Sequence, residues 1–163
     1  MFESRPEVPL GALAVEMQFY PIIAGSATCH IELNFSRGAM TRGLGIDLVD
    51  VVSLQEQIEH IEGYLEEVFT LEEIECCRSR PNPYECFAAR FAAKEALMKA
   101  LGTGWTEMVS FLKISIKSDG SSVPTMELDA SIHAALLLPS SLKIMLSMSH
   151  LESCACAIVI LEC

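Results

Sequence analysis

Asp47 stands inside the apolar run GLGIDLVDVV at residues 43–52, flanked by Ile46, Leu48 and Val49. A carboxylate placed among such neighbours loses hydration, and a metal ion or a basic partner would offset that loss. The plainer reading is that the side chain faces solvent across the pleat of a half-exposed strand. A second concentration of charge lies in RFAAKEALMKALGTG at residues 90–104. At about 100° per residue, Glu95 and Lys99 fall on one flank of a helix and Arg90 and Lys94 on the other, with Phe87, Phe91 and Met98 between them. Charges so placed could line a phosphate-binding cleft. The alternative is an ordinary amphipathic helix, in which a surface Glu95–Lys99 pair adds only about 0.3–0.5 kcal/mol.

Two further groups carry weaker signals. Gly102, Thr103 and Gly104 follow the helix and read first as its C-terminal cap and turn, although a glycine loop can also offer backbone amides to a phosphate. Ser147, Ser149 and His150 end an apolar strand, where a single histidine is most often structural.

The elements that must position these residues follow from pattern. Residues 43–52 are rich in β-branched types and read as a strand. Ser53 with Glu56, and then Thr70 with Glu73, form capping-box patterns that start helices over about 54–69 and 71–78. The breaker RPNP at residues 80–83 precedes the strongest helix, about 84–101, which Gly102 stops. Residues 109–117 and 123–128 alternate around the turn Asp119-Gly120 and read as a hairpin. Asp129 caps a helix to about Leu138, and strands at 142–149 and 156–161 close the chain. Hairpin-connected strands with helices make the class α+β, with an antiparallel sheet. The first forty residues show no sustained period beyond a short strand at 29–35.

Composition narrows the partners. The 163 residues fit one domain, and 51% apolar with 20% charged residues is the balance of a globular chain. Asp and Glu outnumber Lys and Arg 22 to 11 without a basic run, so nucleic acid is not an expected partner. Seven cysteines, an odd number without a CxxC pair, point to reduced thiols in a cytoplasmic setting. The apolar stretch 8–27 is broken by Glu16 and Pro21, so no membrane span is expected, and Glu3 and Glu7 offset Arg5 where a secretory signal would need positive charge.

Read together and in order, GLGIDLVD at 43–50, ARFAAKEALMKALGTG at 89–104 and LSMSHLESCACAIVI at 146–160 resemble the holo-acyl-carrier-protein synthases, the short group of 4′-phosphopantetheinyl transferases. The resemblance covers about residues 41–162. It implies a single domain over 41–163 in which an antiparallel sheet packs on a long central helix and the chains associate as a homotrimer. Residues 1–40 are then an N-terminal extension, either poorly ordered or the product of too early a start codon.

The resemblance also implies an activity: transfer of the 4′-phosphopantetheine group of coenzyme A to a serine of an apo acyl carrier protein, with release of 3′,5′-ADP. Mg²⁺ would be held by Asp47 and Glu95 with substrate oxygens and water. Arg90, Lys94 and Lys99 would meet coenzyme A phosphates, and Lys94 would also neutralise the leaving group. Gly102, Thr103 and Gly104 would lie beside the nucleotide, and His150 would contact it. Glu95 or a metal-held water would take the serine proton, and that choice stays open. The carrier could serve fatty acid or polyketide synthesis.

One departure from the family pattern concerns docking. An arginine often follows the strand aspartate there, whereas this chain has Val52-Ser53-Leu54 and then Glu56, Glu59, Glu62, Glu66 and Glu67 without Lys or Arg. Two acidic faces repel, so Arg78 and Arg80 are the expected contacts for an acidic carrier. The rival readings are a catalytically silent trimeric module that binds a nucleotide or partner, and another Mg²⁺-dependent phosphoryl transferase acting on a small nucleotide.

Overall fold

The computed structural model describes residues 16–19, 29–32, 40–118 and 123–163. Strands β1 (Glu16–Phe19) and β2 (Cys29–Glu32) pair antiparallel ahead of the main domain. The sequence pattern marks only the second of them. The rest of the first forty residues and the Asp119-Gly120 turn lie outside the described residues.

The sheet that matters for function has three antiparallel strands in the order β3-β7-β6. In it, β3 (Thr41–Asp50) pairs with β7 (Cys154–Glu162), which pairs with β6 (Lys143–His150). Strands β4 (Ile114–Lys117) and β5 (Thr125–Leu128) form the expected hairpin as a separate two-stranded ribbon. The fold is α+β, as the pattern implies.

Four helices lie between β3 and the ribbon's neighbourhood, and one more follows it. The first begins earlier than expected, because Asp50 rather than Ser53 caps it: the Asp50 carboxylate accepts from Ser53 N–H at 2.7 Å. An ionised oxygen is the stronger acceptor for that amide. The single helix expected to Phe69 is divided into α1 (Val51–His60) and α2 (Tyr64–Val68), since Gly63 takes a left-handed φ of 79° between them. Helix α3 (Leu71–Arg78) carries the expected capping box of Thr70 and Glu73. Helix α4 (Pro83–Leu101) has proline in its first turn and ends at Gly102, also left-handed. Asp129 caps the short α5 (Ala130–Ala135) by accepting from Ser131 N–H.

Helix α4 is the axis of the domain. Ala92, Ala93, Ala96 and Leu97 pack with Val159 and Leu161 of β7 in one apolar cluster, while Phe87, Ala88 and Ala89 join Leu54, Phe69 and Ile74 in another. The amphipathic pattern expected for this helix is therefore not what forms. It is enclosed nearly all round, and Arg90, Lys94 and Lys99 are enclosed with it. Among the described residues no helix is long and apolar enough to cross a membrane.

Candidate active site

Successive side chains of a strand alternate between faces, so residues 43, 45 and 47 share one. A Cβ at Gly43 would strike the carbonyl oxygen of Ala100, and one at Gly45 that of Ala96. With only hydrogens there, the backbone of α4 rests directly on the backbone of β3. Asp47, the next residue on that face, is thereby brought against the last turns of α4.

Lys99 Nζ donates to Asp47 Oδ1 at 2.8 Å, with 9% and 12% of the two side chains exposed. The reading in which Asp47 simply faces solvent is set aside by this contact. Glu95 lies one turn earlier on the same flank and accepts no hydrogen bond from the described residues. Burial pushes the Asp47 carboxyl above its ordinary range, against the pull of the Lys99 bond. Burial also raises Glu95, the Asp47 charge raises it further, and Lys99 opposes both effects.

Two half-buried carboxyls that repel each other across one ammonium form a site short of positive charge. A hard divalent cation fits that shortage. No group of three His, Cys, Asp or Glu able to hold a metal occurs among the described residues, so a cation held by Asp47 and Glu95 would take its other ligands from water and substrate oxygens. That division of ligands suits Mg²⁺, which keeps several waters and binds through one or two carboxylates with substrate phosphates.

Arg90 is nine residues before Lys99, roughly half a revolution around the helix. It lines a cavity of about 480 Å³ together with Arg80, Glu85, Met148 and His150, and none of Asp47, Glu95 and Lys99 borders it. Arg90 is only 5% exposed, and its Nε has no hydrogen-bond partner. His150 Nδ1 lies 3.1 Å from Glu85 Oε2. An enclosed guanidinium that borders a cavity and meets no carboxylate within ion-pair distance among the described residues favours an anion. The proposed site residues thus fall into two places in one chain, the carboxylate pair with Lys99 and the cavity with Arg90 and His150.

The 4′-phosphopantetheinyl transferase superfamily matches residues 43–159, which include both places. The holo-[acyl-carrier-protein] synthase of Halothermothrix orenii is 36% identical over 124 residues, covering 76% of this chain and 98% of that protein. The chain belongs to the 4′-phosphopantetheinyl transferase superfamily. The fold of this superfamily member agrees with solved structures. The holo-[acyl-carrier-protein] synthase of Neisseria meningitidis superposes with a TM-score of 0.67 at 30% identity, over 76% of this chain and all 100% of that one. That of Helicobacter pylori, solved in complex with coenzyme A, gives 0.63 at 27% identity over 72% and 98% of the two chains.

Lys94 is placed differently from the phosphate contact its motif implies for a superfamily member. Its side chain is 0% exposed, and its Nζ donates to Glu73 Oε2 at 2.7 Å, Val68 O at 2.8 Å and Phe111 O at 3.0 Å. An ammonium has three donors, so none is left for a ligand. The cause is the enclosure of α4 at this turn, which leaves the Lys94 side chain 0% exposed. Burial pushes the Lys94 ammonium below its ordinary range, and the Glu73 charge resists. Glu73 also accepts from Thr70 N–H and Ile116 N–H, tying α3 and β4 to α4. The capping pattern at Thr70 marks Glu73, but nothing in the pattern marks its burial.

Gly102 to Gly104 behave as a helix stop: Gly102 N–H donates to Lys99 O, Thr103 N–H to Met98 O, and Gly104 is left-handed at φ 62°. The superfamily member also carries a disulfide between Cys77 and Cys86, where the odd cysteine count implies reduced thiols throughout. The two residues sit on α3 and α4, and spacing alone could not reveal that these helices bring them together.

Proposed function

We propose that Asp47 and Glu95 jointly hold Mg²⁺ against the pyrophosphate of coenzyme A, in the transfer of its 4′-phosphopantetheine group to a serine of an apo acyl carrier protein with release of 3′,5′-ADP. Bound there, the ion would supply charge neutralisation to the diphosphate oxygens. Lys99, already aimed at Asp47, stabilises charge gathering on the leaving phosphate. Arg90 and His150 take the nucleotide end in their cavity, and of the turn Gly102-Thr103-Gly104, at the far end of α4, only the Gly104 N–H is left for a ligand. Lys94 acts through position: its bonds to Glu73 and to two carbonyls fix the turn of α4 that carries Glu95.

The observation that carries this reading is the convergence of Asp47, Glu95 and Lys99 where β3 and α4 touch. The coenzyme A complex of the Helicobacter pylori relative, covered over 98% of its length, supports the substrate. Incubating the protein with apo carrier, coenzyme A and Mg²⁺ and weighing the carrier by intact-mass spectrometry tests it. The carrier should gain one phosphopantetheine arm, and a carrier of unchanged mass would retire the reading.

The same proposal includes a homotrimer. Ile46, Leu48, Met145 and Ile158 point away from α4 on the outer face of the sheet and remain 48%, 70%, 41% and 37% exposed. An open sheet face is ordinarily polar, so this apolar face calls for a neighbour. Association there would let the carboxylate pair of one chain and the Arg90 cavity of the next serve one ligand. Arg78, at the exposed end of α3, and Arg80, at the cavity edge, are the proposed carrier contacts in place of the acidic α1. The cytoplasm is the proposed setting.

A further inference from the structure

The Arg90 guanidinium has unusual company. Among the described residues it meets no carboxylate within ion-pair distance, and its charge also reaches Lys94. Its Nη1 donates to Cys86 Sγ at 2.7 Å and its Nη2 to Cys76 Sγ at 3.2 Å. Cys86 is bonded to Cys77, and of that pair Cys86 borders the cavity while Cys77 is 0% exposed. A disulfide sulfur is neutral and leaves the guanidinium uncompensated, whereas a thiolate in the same place would compensate it. Thiolates are favoured beside arginine, and disulfides in reducing compartments are usually transient or redox-sensing.

We propose that the Cys77–Cys86 disulfide is a thiol-exchangeable switch in the wall of the Arg90 cavity: bonded, it permits tight binding of a phosphate-bearing ligand, and reduced, it opposes that binding. The proposal rests on the reading above that the nucleotide end of coenzyme A enters this cavity. The reductant is a dithiol. Its thiolate attacks Cys86 Sγ from the cavity side, forms a mixed disulfide and expels Cys77 as a thiolate, which takes up a proton. The second thiolate of the reductant then attacks its own sulfur in the mixed disulfide, closes the internal disulfide of the reductant and releases Cys86 as a thiolate. Two electrons pass to the protein, and the freed Cys86 sulfur stays against Arg90 Nη1 as an anion. It then holds the charge a phosphate would otherwise meet.

The test uses the whole chain, with 3′,5′-ADP as probe and calorimetry as readout. Untreated protein should bind it about five- to tenfold more tightly than dithiothreitol-reduced protein, the size of one partly screened charge interaction. Cys77→Ala, which keeps the Cys86 thiol but cannot close the bond, should bind weakly with or without reductant. Cys86→Ala should bind tightly in both conditions. Occupancy of the cavity should also slow reduction, because ligand and reductant compete for the same approach. Equal affinity in oxidised and reduced wild-type protein overturns the switch alone. So does mass mapping after alkylation that finds both sulfurs free in untreated protein. No binding to either form overturns the switch together with the placement of the nucleotide.

Discussion

Lys99 on α4 and Asp47 on β3 are joined at 2.8 Å across a contact in which helix backbone lies on strand backbone. The ion pair therefore depends on two glycines that touch neither charge. Were β3 to carry side chains at those positions, α4 would stand further off and the carboxylates would part.

Substitution at Gly45 measures that dependence. In Gly45→Ala the new Cβ meets the carbonyl oxygen of Ala96, a backbone atom that can move only with the helix. The expected cost is about 1–3 kcal/mol of stability by urea unfolding. Transfer activity should fall by about a hundredfold under conditions in which the variant stays folded, since small misplacements of reacting groups are costly.

Acidity gives a second expectation. Asp47 and Glu95 are both raised in the fold, so the folded chain binds these protons more tightly than the unfolded chain. Their contribution to stability is present in acid and is lost as pH rises through the folded values. Asp47→Asn with Glu95→Gln should match wild type in stability at about pH 4 and exceed it at about pH 8 by chemical denaturation. In wild type, Mg²⁺ affinity should climb over the same interval, because the ion requires both carboxylates charged.

Removing Lys94 isolates a buried carboxylate. Lys94→Met leaves Glu73 without its cation at 0% exposure and should cost about 3–5 kcal/mol in unfolding free energy. Adding Glu73→Gln removes the stranded charge while keeping an acceptor for Ile116 N–H, and should recover part of that loss. A single and a double variant of equal stability would contradict the buried pair.

Carrier docking separates by position. Arg78→Glu should raise the carrier KM by about three- to tenfold with the coenzyme A KM unchanged, and the difference should shrink in high salt. Arg80→Glu should raise both, since Arg80 also borders the cavity. Steady-state kinetics with each substrate varied in turn distinguishes the two.

The fold was largely legible because its punctuation is local. Thr70 with Glu73, Asp129, Pro83 and Gly102 each act within a turn of themselves, and each marks an element boundary that forms. The helix expected to run unbroken to Phe69 shows the limit, for Gly63 interrupts a periodic pattern without disturbing its period. Of the candidate site, Asp47 and Glu95 are singled out by their motifs, and what the structure adds is the Lys99 contact to Asp47. The destination of Lys94 was not, because it depends on Glu73, Val68 and Phe111 arriving from three other segments. The Cys77–Cys86 bond escaped for the same reason.

Helix α4 presents its acidic flank to one side and its guanidinium to the other, so injury to either leaves its counterpart chemically whole. In the proposed assembly, a protomer stripped of Glu95 still lends a sound cavity to its neighbour, and one stripped of Arg90 still lends sound carboxylates. Two defective alleles could then complement one another, and a lesion would belong to the junction it spoils rather than to the polypeptide that bears it.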